Sequence, residues 1–119
     1  MCTEFIFLIS DSNCPKELFV KGPPGDNSMG KYEIASYKVN GKNYWAKSDG
    51  MHFITYDKYW KITQYKVDGE RFRAPTSSDN LCPNEVPKIS WQVFKDENWN
   101  AWNEYFPLIS IWYGKFRVW

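Results

Sequence analysis

Tyr32-Glu33-Ile34-Ala35-Ser36-Tyr37-Lys38-Val39-Asn40-Gly41-Lys42-Asn43-Tyr44-Trp45-Ala46 returns 28 residues later as Trp60-Lys61-Ile62-Thr63-Gln64-Tyr65-Lys66-Val67-Asp68-Gly69-Glu70-Arg71-Phe72-Arg73-Ala74. Ile, the Tyr-Lys-Val triplet, Gly and Ala coincide, and the aromatic ends interchange Tyr with Trp or Phe. Each copy carries Asn-Gly or Asp-Gly at its centre. Those pairs accept positive φ at both central positions of a type I′ turn, whose twist matches two flanking antiparallel strands. The spacing therefore predicts two β-hairpins, 32–46 and 60–74. In the first copy Tyr32 and Ile34 fall on one face and Tyr37 and Val39 on the other. A bulge near Ala35-Ser36, or burial of both faces, reconciles them.

The neighbouring segments follow the same grammar. Glu17 to Lys21 reads as a strand stopped by Gly22-Pro23-Pro24-Gly25. Met51 to Tyr56 is a further strand. Ala74 to Pro87, with three prolines, reads as a long surface loop. Lys88 to Lys95 alternates Ile89, Trp91 and Val93 against polar neighbours, as a half-buried strand does. Trp99, Trp102 and Phe106 fit either one helical turn or an irregular aromatic loop, and Ile109 to Trp119 reads as a last strand. The expected architecture is all-β: one antiparallel sandwich or small barrel of about seven short strands in a single domain, 1–119. Its core module is 14–95, followed by an aromatic segment, 96–119.

Composition agrees. The 119 residues hold 23 aromatics and 18 Ile, Val and Thr, against four Leu and four Ala. That balance excludes a helical bundle or coiled coil. So much aromatic surface at a net charge of +1 excludes a disordered tail and a polycation. The run Phe5-Ile6-Phe7-Leu8-Ile9 is too short to span a bilayer. It lacks the flanks of a signal peptide, and it reads either as a buried strand, the favoured reading, or as the remnant of a leader whose beginning is missing.

Chemistry-bearing residues are sparse. His52 is the sole histidine. No Gly-X-Ser-X-Gly elbow, Cys-X-X-Cys pair, phosphate loop or calcium loop accompanies it. No metal site and no cofactor is expected, and a small hydrolase using His52 is the least supported class. Cys14-Pro15-Lys16-Glu17 and Cys82-Pro83-Asn84-Glu85 have matched flanks that favour a Cys14–Cys82 disulfide over two free buried thiols, with Cys2 left over. Segment 30–75 carries nine Lys or Arg and five acids, a net +4. Cations interleaved with rings are what a single-stranded nucleic-acid-binding barrel shows, here through Tyr32, Lys38, Lys42, Tyr44, Lys61 and Tyr65. The leading expectation is a non-catalytic binding or adhesion module. Its glycan or protein ligand would lie on an exposed aromatic surface of Trp45, Tyr59, Trp60, Trp99 and Trp102. A last strand without a polar tail also suggests edge-to-edge self-association.

The string Cys14-Pro15, Gly30-Lys31-Tyr32-Glu33, Val39-Asn40-Gly41-Lys42-Asn43-Tyr44-Trp45, Phe53-Ile54-Thr55-Tyr56, Trp60-Lys61-Ile62, Ala74-Pro75, Cys82-Pro83 and Trp91-Gln92-Val93 resembles a short, largely unnamed β module. That module occurs in many copies in large, extracellular-looking proteins of marine invertebrates and some protists. The resemblance covers residues 14–91, and Trp99 to Trp119 departs from it. It implies an extracellular or cell-surface setting and no known catalysis.

Overall fold

A computed structural model describes residues 14–23, 25–65, 70–78, 80–95, 97–103 and 108–114. The Phe5–Ile9 strand, the Asp68-Gly69 turn and the end of the last expected strand lie outside them. The chain is all-β, as its composition requires. Its strands are β1 (Glu17–Lys21), β2 (Gly30–Ile34), β3 (Trp45–Lys47), β4 (His52–Tyr56), β5 (Trp60–Gln64), β6 (Glu70–Ala74), β7 (Gln92–Lys95), β8 (Asn98–Ala101) and β9 (Ser110–Trp112). They form one antiparallel sheet in the order β8-β7-β6-β5-β4-β3-β2-β1-β9, curled into a half-barrel. Among the described residues there are nine strands, against about seven expected. Among the described residues no helix is long and apolar enough to cross a membrane.

The echoed stretches are the β2–β3 and β5–β6 hairpins. In the first, Asn40 and Gly41 take φ of 56° and 75°, as a type I′ turn demands. A Val39–Lys42 bridge closes it. In the first copy the pairing passes from Ala35–Tyr44 to Val39–Lys42 with two extra residues on the leading strand, close to the expected bulge, and a second register shift falls between Ile62 and Thr63 in the other copy.

One row of cross-strand partners builds the core. Ile34 faces Trp45, Trp45 faces Ile54, Ile54 faces Ile62, Ile62 faces Phe72, and Phe72 faces Val93. Four of these, Trp45, Ile54, Ile62 and Phe72, are fully buried. At about 1.5–3 kcal/mol for each large apolar side chain, this row is the main driving force for the curl. A parallel row on the same inner face runs Tyr56, Trp60, Ala74.

In the segment after Ala74, Pro75, Thr76, Ser78 and Asn80 are exposed as a surface loop requires, but the part around Cys82 folds inward and corrects that expectation there. Cys82, Pro83 and Val86 are buried, with a 3₁₀ turn at Pro83–Glu85 whose leading Cys82 N–H donates to the Glu85 carboxylate at 2.8 Å. A second 3₁₀ turn, Lys88–Ser90, breaks the alternation expected there. Trp91 and Val93 stay inside while Ile89 is 69% exposed. Trp99 belongs to β8, so the helical turn is also corrected. Lys95 and Asn98 pair across a tight turn in which Glu97 takes φ 64°. Gly22 sits where an added Cβ would collide with the Leu108 carbonyl and the Ile109 side chain.

Cys14 and Cys82 are joined by a disulfide. Trp45 Nε1–H donates to Pro15 O at 2.9 Å, and Trp60 Nε1–H to Leu81 O at 2.8 Å. The two indoles pack edge to face at 5.8 Å. Each side of the disulfide is therefore held by a buried indole. Replacing both cysteines by serine is expected to lower unfolding free energy by about 4 kcal/mol on the chain-entropy account. Urea unfolding of the two proteins measures this, and an unchanged midpoint would contradict it.

Candidate functional site

The inner face ends in a polar layer. Tyr32 faces Lys47 across β2–β3, and His52 faces Gln64 across β4–β5. The strands fasten the 22–29 loop over this end. Tyr32 Oη–H donates to Ser28 O at 2.6 Å, Lys47 Nζ to Asn27 O at 2.7 Å, and Arg71 to Asp26 Oδ2 at 2.9 Å. Asp49 closes the β3–β4 turn. It accepts from the backbone N–H of Met51 at 2.7 Å and from His52 Nδ1 at 2.7 Å. His52 is 3% exposed. The first three contacts tie a loop to a sheet, and the histidine holds the β3–β4 turn through Asp49. Beside the Asp26–Arg71 pair an open depression of about 400 Å³ runs along Pro23, Gly25, Val93, Phe94 and Lys95.

Burial pushes the Asp26 carboxyl up, but the Ser28 N–H and the Arg71 guanidinium outweigh it, and the net result lies below the ordinary 3.8. Asp49 is likewise lowered: burial opposes, while the Met51 N–H, His52 and Lys47 prevail. Burial first, then the negative charges of Asp49 and Asp26, raise the Tyr32 phenol.

The outer face carries a different chemistry. Lys61 faces Arg73, and Arg73 faces Gln92, so three polar side chains stand in one outward row. The Arg73 guanidinium lies 4.0 Å over the Trp99 ring, and its Nε–H donates to Gln92 Oε1 at 2.7 Å. Trp99 packs against Phe94 at 5.3 Å. Next along, Tyr59 Oη–H reaches the Glu70 carboxylate at 2.9 and 3.0 Å. Lys61 Nζ lies 5.1 Å over the Tyr59 ring and 3.0 Å from Glu70 Oε2. Burial, then the hydrogen bond to Glu70 and its charge, raise the Tyr59 phenol. The patch thus offers ring surface edged by a carboxylate, a guanidinium, an ammonium and an amide.

Two of the five sequence-selected ligand residues lie there, Tyr59 and Trp99. Trp45 and Trp60 are instead core residues, 0% and 2% exposed, since the strand alternation turns them inward. Trp102 is half-buried against the core, with its backbone N–H donating to Trp91 O at 3.2 Å. Of the nucleic-acid set, Tyr32 is buried, whereas Tyr44 and Lys61 are on the outer face. The sequence reading missed Glu70, Arg73, Gln92 and Phe94. The alternation of Arg73 with the inward Phe72 and Ala74 was its available signal. Among the described residues no cluster could hold a metal ion. Comparison with protein-family models, curated proteins and solved structures finds no match for this chain.

Because Asp26 and Asp49 have lower pKa values folded than unfolded, their ionisation favours the fold above the ordinary carboxylate value. That contribution disappears as pH falls through the depressed values. Urea unfolding is expected to show stability falling below about pH 4, less steeply in Asp26→Asn. An acid limb identical in wild type and variant contradicts the assignment.

Proposed function

We propose that this chain is a non-catalytic binding module whose ligand is a glycan, held on the outer face at Tyr59, Arg73 and Trp99. The observation that carries this reading is the Arg73–Trp99–Phe94 stack beside the Tyr59–Glu70–Lys61 cluster. Ring faces accept the apolar C–H side of a sugar, and the flanking carboxylate, guanidinium and amide exchange hydrogen bonds with its hydroxyls. Charge supports a neutral ligand. Within the patch Lys61 and Arg73 are matched by Asp57 and Glu70, with Asp57 3.8 Å from Lys61. A phosphate backbone would meet a patch with no excess of cations. The burial of His52 and its bond to Asp49 support a structural role for that residue over catalysis. The Cys14–Cys82 disulfide supports an extracellular or cell-surface setting, because such bonds persist in oxidising compartments.

A neutral glycan array probed with wild type and with Trp99→Ala and Arg73→Ala is the direct test. Binding is expected to change little between low and high salt and to weaken roughly tenfold in each variant, the upper worth of one ring contact. Affinity for single-stranded DNA that falls steeply with salt, without glycan binding, overturns the reading in favour of nucleic acid.

A further inference from the structure

A second aromatic cluster stands on the same face, and the function proposed above does not use it. Tyr37 and Tyr44 pack edge to face at 5.7 Å, and Tyr44 meets Phe53 at 6.2 Å. Tyr37 is 65% exposed. The hydrogen bond to Tyr37, and then burial, raise the Tyr44 phenol. Register fixes where this cluster lies. The Ala35 N–H donates to Tyr44 O at 2.8 Å, which carries the β2–β3 pairing one step past Trp45. The β3–β4 register then sets Tyr44 beside Thr55, and Thr55 faces Lys61. One outward row therefore runs Tyr44, Thr55, Lys61, Arg73, Gln92. Phe94 and Trp99 flank its far end, and Phe53 flanks its near end.

The face has rings at both ends and a charge-balanced, hydroxyl- and amide-bearing centre. From β3 to β8 is five strand spacings in the sheet order. At about 4.8 Å each, that is roughly 24 Å along the surface. A single sugar covers one ring cluster and leaves the other empty. We infer that the ligand is an extended neutral oligosaccharide, lying across the strands from Tyr44 to Trp99 and contacting both aromatic ends. The inference rests on the glycan reading. Because the sheet is curled, the chain that fits is one that bends. The polar centre accepts hydroxyls along its length, and its matched charges disfavour an acidic polymer.

Calorimetry with neutral oligosaccharides from disaccharide to octasaccharide tests this, in bending (laminari-, malto-) and straight (cello-, chito-) series. Affinity for a bending series is expected to climb with length and then level off once both clusters are covered. Tyr37→Ala, Tyr44→Ala and Trp99→Ala each then cost the longest oligomer roughly tenfold. The disaccharide is lowered only by variants at the end it occupies. Tyr37→Ala removes an exposed ring and so keeps the test valid if Tyr44→Ala fails to fold. If a disaccharide binds as tightly as the octasaccharide, or only one end matters, the spanning chain is wrong while glycan binding stands. If only straight oligomers gain with length, the bending chain is wrong. If no oligosaccharide binds at any length, both readings fall.

Discussion

Two buried indoles hold the ends of one covalent bond. Trp45 binds the carbonyl next to Cys14, Trp60 binds the carbonyl next to Cys82, and the rings rest against each other. A buried indole N–H without a partner would cost about 1–3 kcal/mol. These two donors are instead spent on the segments that the disulfide joins. The start of β1 and the loop after β6 are thereby fixed to the middle of the sheet, and that loop can cover the inner face with Cys82, Pro83 and Val86. The cross-strand row from Ile34 to Val93 then has an apolar roof.

Sealing one face leaves the charged and aromatic clusters to the other. In the polar layer Tyr32, Lys47 and the Arg71–Asp26 pair fasten the 22–29 loop, and Asp49 with His52 closes the β3–β4 turn beside them. The outer face makes no comparable closure among the described residues. Its rings pair with cations and carboxylates across neighbouring strands, at positions that strand alternation turns away from the core. Phe19 stacked on Trp112 at 5.6 Å continues this pattern on β1 and β9. Aromatic excess in this chain therefore divides into two populations with different partners: carbonyls and aliphatic groups inside, charged groups and other rings outside.

The all-β class, the Asn40-Gly41 turn, β1 and the disulfide were legible in the sequence, because each has a local signature: propensity, positive φ, proline-bounded runs or matched flanks. The face occupied by each ring was not. Trp45 and Trp60 sit at the ends of the echoed hairpins, and their direction depends on register with β4 and β6. A one-residue slip would reverse it. Tyr37 and Tyr65 occupy equivalent positions in the echo, and both are exposed, at 65% and 55%. β8 was missed because Asn98-Trp99-Asn100-Ala101 has little strand propensity and forms only by pairing with β7. Arg73 over Trp99 joins residues 26 positions apart, a contact no local pattern encodes.

Inner indoles build the fold, and in the proposed function the outer indole of Trp99 meets the ligand. Following the tryptophan indole N–H signals by NMR while a neutral oligosaccharide is titrated in tests it most directly. The Trp99 signal is expected to move and those of Trp45 and Trp60 to stay in place. Movement of the Trp45 and Trp60 signals with Trp99 unchanged would contradict it.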